Sequence, residues 1–270
     1  KEMYTFIDKG ERSMTLRPEG TASVVRALIE QKLVVDNPNM KYYYIGPMFR
    51  YERPQMGRQR QFTQFGVEAF GEADARIDAE VMYMLGLLYE RVGLKGIRFS
   101  LNSLGCDGCR PLYRNKLQEF LSTIVDSLCG NCKSRVTTNI MRVVDCKNEQ
   151  CRNLIKSNAP TMIASLCQPC HEHFESVQKY LGVLSVPYLI DPMIVRGLDY
   201  YNRTTFEVVS ENLGAQNALG GGGRYDGLVK SLGGPEIPAV GYASGMERLL
   251  MLVENQVELQ KKKSVFIASF

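Results

Sequence analysis

The chain has 270 residues, 44% of them hydrophobic, and a formal net charge of +4. That is enough apolar material for one large domain or two modest ones, and it excludes a low-complexity chain. No apolar run approaches the length of a membrane span, no signal peptide is visible, and so small a charge admits a nucleic-acid partner without arguing for one.

Met3 to Leu16 has the pattern of two short strands around an Asp8-Lys9-Gly10 turn. Pro18 and Gly20 break that strand pattern. Val24, Val25, Leu28 and Ile29 then recur at helical spacing, so a helix starts near Thr21 and runs to Gln31. Glu19 and Thr21 stand at its mouth. A capping role and a ligand-binding role are both open there, because Thr is a good N-cap.

Tyr42 to Tyr51 is rich in aromatic and β-favouring residues and is a strand; Gln61 to Phe70 is a second. The intervening ERPQMGRQR holds Pro54, Gly57 and three arginines and is a loop by composition. Side chains alternate faces along a strand, so Phe62, Gln64, Gly66, Glu68 and Phe70 share one face, as do Tyr42, Tyr44, Gly46, Met48 and Arg50. A core face does not carry an amide and a carboxylate between two phenylalanines unless they find partners. The basic loop beside Arg50, Gln64 and Glu68 fits a site for an anion plus a small polar molecule; a hairpin with a solvated face is the plainer alternative.

Asp74 to Val92 is an amphipathic helix with Ile77, Val81, Met84, Leu85 and Leu88 inward, and Ile97 to Leu101 alternates as a strand. All eight cysteines then fall between Cys106 and Cys170, paired as Cys106/Cys109, Cys129/Cys132, Cys146/Cys151 and Cys167/Cys170. Two such pairs complete a tetrahedral Zn2+ site, so four pairs can make two structural sites. Disulfides and unliganded buried thiols are the competing readings. His171 and His173 follow the last pair and could replace a cysteine ligand. Helices are expected at about Arg110 to Leu128 and His171 to Gly182.

Past Tyr180 the pattern turns to strands again: Val186 to Asp191, then a turn at Arg196-Gly197 and a strand from Thr204 to Val209. Arg196, Asp199, Tyr200 and Tyr201 form a dense polar cluster between apolar runs. LGGGGRYDGLV follows; flanked by Arg224, Tyr225 and Asp226, its glycines favour close approach of backbone to a ligand over a floppy linker, and it lacks the GxGxxG spacing of a dinucleotide site. Ala239 to Ala243 is a strand leading into a helix from about Gly245. Arg248 sits in the first turn of that helix, where the macrodipole disfavours a cation and a nearby anion or π-face would explain it.

YYYIGPMFRYERPQMGRQRQFTQFGVEAF resembles motif 2 of class II aminoacyl-tRNA synthetases, and in detail is similar to the histidyl-tRNA synthetases. RGLDYY and LGGGGRYDG resemble two motifs specific to that family, and PAVGYASGMERLLMLV resembles class II motif 3. The resemblance covers most of the chain. It implies an α+β fold: the class II antiparallel sheet flanked by helices, with a mainly helical Cys-rich insertion. The catalytic core would be discontinuous, residues 1–104 and 181–256, with the insertion at 105–180. Residues 257–270, which include VFIASF, would be a linker and the start of a C-terminal anticodon-binding domain, and motif 1 would precede Lys1, making the chain a fragment.

The implied activity is an aminoacyl-tRNA ligase in two steps: histidine and ATP give histidyl-adenylate, and the histidyl group passes to tRNA(His). The substrate carboxylate is itself the nucleophile, so the reaction needs alignment and positive charge on the phosphates. By resemblance, Arg50 and Arg196 hold the α-phosphate. Arg58, Arg248 and Glu52 serve ATP, with Phe62 stacking on its adenine. Glu19 and Thr21 hold the α-amino group of histidine, with Gly20 between them also in the histidine site; Gln64 and Glu68 close the amino-acid pocket, and Tyr200, Tyr201 and Tyr225 reach the imidazole. Mg2+ accompanies ATP. The family implies a cytoplasmic homodimer with no membrane association. Paired cysteines are not general in it, so Zn2+ rests on spacing alone. The alternative is a non-catalytic, histidine-sensing paralogue, the regulatory subunit of ATP phosphoribosyltransferase, which usually loses the catalytic arginines; this chain keeps Arg50, Arg196 and Arg248. A bare zinc-binding nucleic-acid module is a third reading and leaves the polar strand face unexplained.

Overall fold

A computed structural model of the chain describes residues 3–33, 39–54, 57–210 and 218–256. The expected linker and domain start at 257–270 lie outside the described residues.

Strands β1 (Thr5–Ile7) and β2 (Ser13–Thr15) pair antiparallel on either side of the expected turn. Helix α1 (Thr21–Glu30) buries Val25 and Leu28. Strands β3 (Met40–Phe49) and β4 (Gln61–Phe70) form one antiparallel hairpin, in register from Met40 opposite Phe70 to Phe49 opposite Gln61. Helix α2 (Ala75–Arg91) starts at Asp74, whose carboxylate accepts the Arg76 amide. It turns Ile77, Val81, Met82 and Leu85 onto the sheet, while Leu88 lies at its exposed margin.

After β5 (Ile97–Ser103) come the helices of the cysteine-rich segment: α3 (Cys109–Ile124), α4 (Gly130–Thr138), α5 (Met141–Val144), α6 (Glu149–Asn158) and α7 (Gln168–Val183). The chain closes with β6 (Tyr188–Ile190), β7 (Asn202–Ser210), β8 (Ala218–Arg224), α8 (Leu228–Ser231), β9 (Ala239–Gly245) and α9 (Met246–Gln256).

Seven strands form one sheet in the order β3-β4-β9-β8-β7-β5-β6. Every pairing is antiparallel except that of the short edge strand β6 with β5. The fold is α+β, a mostly antiparallel sheet with helices around it and a helical cysteine-rich region, as expected. One face of the sheet meets α2, α7 and α9 in the largest apolar cluster. The segment after β5 has its own cluster, from Tyr113 to Met162. Helix α7 differs from expectation: Phe174, Val177 and Leu181 pack into the sheet's cluster, so the helix that ends the cysteine-rich segment also belongs physically to the core.

The glycine run is a strand. Strand β8 lies between β7 and β9, and its glycines press against backbone; a Cβ at Gly222 would fall 2.0 Å from the Gly241 carbonyl oxygen. The close approach is to neighbouring strands. Arg224 is likewise structural. It is fully buried on Asp78 and also donates to the carbonyls of Glu72 and Asp74 and to Asp226 Oδ1.

Candidate functional site

The other face of the sheet carries the polar residues. Glu68, near the C-terminal end of β4, is fully buried there. Its Oε1 accepts from Thr21 Oγ1 at 2.6 Å and its Oε2 from the Tyr225 hydroxyl at 2.5 Å. The neighbouring strand accommodates the carboxylate only because residue 241 is glycine, where a Cβ would fall 1.9 Å from Oε2. Burial pushes the Glu68 carboxyl up to about 8, and the Glu19 carboxylate adds to the rise; the hydroxyls of Thr21, Tyr225 and Tyr44 pull the other way. Sequence reasoning aimed Glu68 at a ligand. In the structure both its oxygens are engaged by hydroxyls of the chain itself, and it ties α1 and β8 to β4.

Glu19 caps α1. Its oxygens accept the amides of Thr21 at 2.6 Å and Ala22 at 3.0 Å, and the Tyr200 hydroxyl lies 3.5 Å from Oε2. The N-cap residue itself is Gly20, so the capping carboxylate comes from one residue earlier and Thr21 is free to bond Glu68. Tyr44 fills the space between: a Cβ at Gly20 would fall 2.3 Å from its ring. Tyr200, Tyr201 and Tyr225 form an aromatic wall with ring centroids 4.8 to 6.3 Å apart. Burial first, and neighbouring ionisable groups second, push the phenols of Tyr44, Tyr200 and Tyr225 up, so they stay protonated donors.

Gln64 lies further along β4 on the same face, opposite Gly46 of β3 and Gly245 of β9, and is 8% exposed. Its Oε1 is buried with no hydrogen-bond partner. An orphaned buried acceptor is costly, and a ligand donor here would satisfy it. Arg196 lies beside the tyrosine wall. Its Nη1 donates to Glu207 Oε1 at 2.7 Å, its guanidinium lies 5.7 Å from the Tyr201 ring centre, and its Nε is a second buried atom without a partner. A Cβ at Gly221 would fall 2.7 Å from Arg196 Nη1, so glycine there admits the guanidinium over the sheet.

The remaining cations gather at the open end of the hairpin. Arg50 donates from Nε to the Pro18 carbonyl at 2.8 Å, and its guanidinium lies 4.9 Å from the Phe62 ring centre. Arg58 pairs with Glu52. Arg248 donates to the carbonyls of Gly57 at 2.7 Å and Ala218 at 2.5 Å. Burial lowers the Arg248 guanidinium below its ordinary value, and the nearby Arg58 and Arg50 cations lower it further, with Glu52 opposing. Mutual repulsion of three guanidiniums is relieved by an anion.

The structure thus gathers Glu19, Gly20, Thr21, Glu68, Tyr200, Tyr201 and Tyr225 into one cluster with Tyr44, with Gln64 on the same strand face of β4. It sets Arg196 beside them and Arg50, Glu52, Arg58, Phe62 and Arg248 beyond. Sequence reasoning missed Tyr44, Glu207 and Gly241. Tyr44 was legible only as one of a row of aromatics, and nothing local marked the other two.

The eight cysteines form two groups: Cys106, Cys109, Cys167 and Cys170, and Cys129, Cys132, Cys146 and Cys151, with the sulfurs of each within 4.8 Å of one another. The outer pairs of the segment join each other and the inner pairs join each other. All eight thiols are free, and the Cys106 and Cys109 sulfurs, for example, stand 3.6 Å apart, far beyond the disulfide bond length of about 2.05 Å. Backbone amides donate to several of the sulfurs: Cys129 N to Cys151 Sγ at 3.0 Å and Cys167 N to Cys109 Sγ at 3.1 Å. At Cys129 the backbone amide of Cys132 holds the thiol at about 7; at Cys106 burial raises the thiol, but amides of Cys109 and Gly108 outweigh it, again to about 7. Four converging sulfurs that accept amide hydrogens suit a thiophilic divalent ion such as Zn2+. The histidines stand outside both groups: His173 lies 3.5 Å from Asp78 and 3.4 Å from Thr204, and His171 pairs with Glu175.

No described helix is long and apolar enough to cross a membrane. Among known proteins, the "Histidine--tRNA ligase" of Desulforamulus reducens is 53% identical over 256 residues, covering 95% of this chain and 61% of that protein. The protein of the same name from Natranaerobius thermophilus is 51% identical over 273 residues, covering all of this chain and 65% of that one. Among solved structures, apo S. aureus histidyl-tRNA synthetase is 42% identical with a TM-score of 0.75, over 95% of this chain and 62% of that one. A structure titled as an ATP phosphoribosyltransferase regulatory subunit/histidyl-tRNA synthetase from Bacillus halodurans, covering 95% of this chain and 69% of that one, shares the fold at a TM-score of 0.65 but only 21% identity. The chain spans 61% and 65% of the length of the two curated relatives. The family description "Histidyl-tRNA synthetase" matches residues 1–109 and 110–249, nearly the whole chain, and the chain belongs to that family.

Proposed function

We propose that this chain carries the site that activates histidine with ATP to histidyl-adenylate, for transfer to tRNA(His) in the cytoplasm. The observation that carries the reading is the position of Arg196. Its guanidinium lies by the Tyr201 ring of the tyrosine wall and its Nε, like Gln64 Oε1, is buried without a partner, while its own partner Glu207 also acts on the Arg248 guanidinium, where the Arg58 and Arg50 cations are felt. In this reading histidine lies against the tyrosine wall, with Gln64 Oε1 accepting one of its N–H groups. Glu68 acts through Thr21 and Tyr225, holding both hydroxyls in place. Arg50 and Arg196 meet the charge that develops on the α-phosphate, and Arg58 and Arg248 hold the outer phosphates and adenine. Phe62, which already lies against the Arg50 guanidinium, offers an aromatic face beside that group. Mg2+ would add positive charge to the triphosphate; no three carboxylates cluster among the described residues, so its ligands would be mainly phosphate and water. Zn2+ in both thiol groups would be structural, since each group supplies all four ligands.

A homodimer fits the exposed apolar residues of the first strands: Tyr43 and Ile45 on the edge strand β3 are 80% and 64% exposed, and Phe6, Ile7 and Met14 are also exposed. The regulatory-paralogue reading has less support, because the relatives named as ligases share about half their residues with this chain. The proposed layout is tested by calorimetric titration with histidine and with ATP. Gln64→Ala should weaken histidine about tenfold and ATP little, and Arg248→Ala the reverse. Equal losses for both ligands in both variants would show one general collapse and overturn the layout.

A further inference from the structure

A second cavity lies between the sheet's far edge and the cysteine-rich segment. Its volume is about 300 Å3, the lower end of the range for small-molecule sites. Strand alternation supplies its floor. Phe99 and Leu101 of β5 enter the apolar cluster, so Ser100 and Asn102 face the other way; Asn102 is engaged, donating to the Ile194 carbonyl at 2.9 Å. Ser100, 7% exposed, lines the cavity, and Tyr113 of α3, 2% exposed, lines it from the opposite side. Neither hydroxyl bonds another described residue, and neither oxygen is a sealed, orphaned atom as Gln64 Oε1 is, so both are open to the cavity; burial pushes the Tyr113 phenol up to about 12. A hydroxyl open to a cavity can donate to or accept from a bound polar group.

The mouth is cationic. Arg98, Arg152 and Lys156 line the cavity and are exposed, and none makes an ion pair among the described residues. One acid, Asp191, also lines it; its Oδ1 accepts the Met193 amide at 3.0 Å, which leaves its second oxygen for a ligand hydroxyl. The rest of the lining is mostly apolar, including Val144, Ile155, Leu189 and Ile190, with Thr161 adding one hydroxyl. Three unpaired cations, two free hydroxyls, one carboxylate oxygen and apolar walls match a phosphate joined to a hydroxylated sugar and a flat apolar body. We propose that this cavity binds a free phosphorylated small molecule of nucleoside-monophosphate size. None of its residues belongs to the activation site, so the inference stands independently of that reading.

Titration calorimetry of the chain with UMP, AMP and inorganic phosphate tests it. The expected result is monophosphate binding that Arg98→Ala with Lys156→Ala weakens about tenfold or more, and that about 0.2 M salt also weakens. Tyr113→Phe keeps the buried ring and removes only the hydroxyl, so it should keep the fold and cost about three- to tenfold in monophosphate affinity. ATP and histidine affinities should be unchanged in these variants. Monophosphate binding that Arg248→Ala abolishes and the cavity variants leave intact would place it in the activation site and overturn the proposal. Equal affinity for inorganic phosphate and UMP would reduce the cavity to a general anion patch. Binding of a short single-stranded RNA without binding of any monophosphate would likewise overturn it.

Discussion

Glu68→Gln isolates the cost of the buried carboxylate. Glu68 is fully buried, and its carboxyl is pushed from an ordinary 4.5 up to about 8, chiefly by burial. The folded state therefore holds the proton more tightly than the unfolded chain. Its contribution to stability is fully present below the ordinary carboxylate value and falls as pH rises toward 8, because the unfolded chain ionises first. Each pH step of one across that window costs about 1.4 kcal/mol, so the whole window corresponds to roughly 5 kcal/mol. Glutamine has the same shape, keeps an oxygen for one hydroxyl and an amide donor for the other, and does not titrate. Urea unfolding followed by circular dichroism at pH 5, 6.5 and 8 would compare the two; the chain has no tryptophan to report by fluorescence. The variant should match wild type near pH 5 and exceed it by several kcal/mol at pH 8. Stability profiles that stay parallel across the range would show that Glu68 titrates normally and that the burial argument is wrong.

Two further outcomes follow from the same geometry. Metal analysis of protein purified without chelator should give two Zn2+ per chain, and chelation should unfold the cysteine-rich segment first; zinc below about 0.2 per chain would leave only a buried-thiol reading. Asp78→Asn strands the fully buried Arg224 and should cost about 3–5 kcal/mol in urea unfolding, whereas a loss under about 1 kcal/mol would mean that the carbonyls and Asp226 around Arg224 suffice.

Much of the fold was legible because its signals are local. The hairpin announced itself through its aromatic runs and basic loop, and α2 through its apolar spacing. The order of the sheet was not: β9, last in the chain, lies between β4 and β8, and no local residue encodes that. Cysteine spacing gave the pairs but not their nesting, because nothing between Cys109 and Cys167 says that the segment's ends return to each other. At the site, strand alternation put Gln64 and Glu68 on one face. It could not show that Thr21 and Tyr225 occupy the Glu68 carboxylate while Gln64 is left open, since those partners come from 47 and 157 residues away. The glycine run misled for a related reason: the backbone it approaches belongs to strands that its own residues do not identify.

The claim that Arg196 joins an amino-acid pocket to an ATP pocket is tested most directly by histidine-dependent ATP–pyrophosphate exchange, in wild type and in Arg196→Ala. Exchange should require histidine, and the substitution should lower it by about 100-fold or more, with histidine affinity within about threefold of wild type. Exchange that proceeds without histidine, or that Arg196→Ala leaves within about threefold of wild type, a barrier change of under about 1 kcal/mol, would contradict the account.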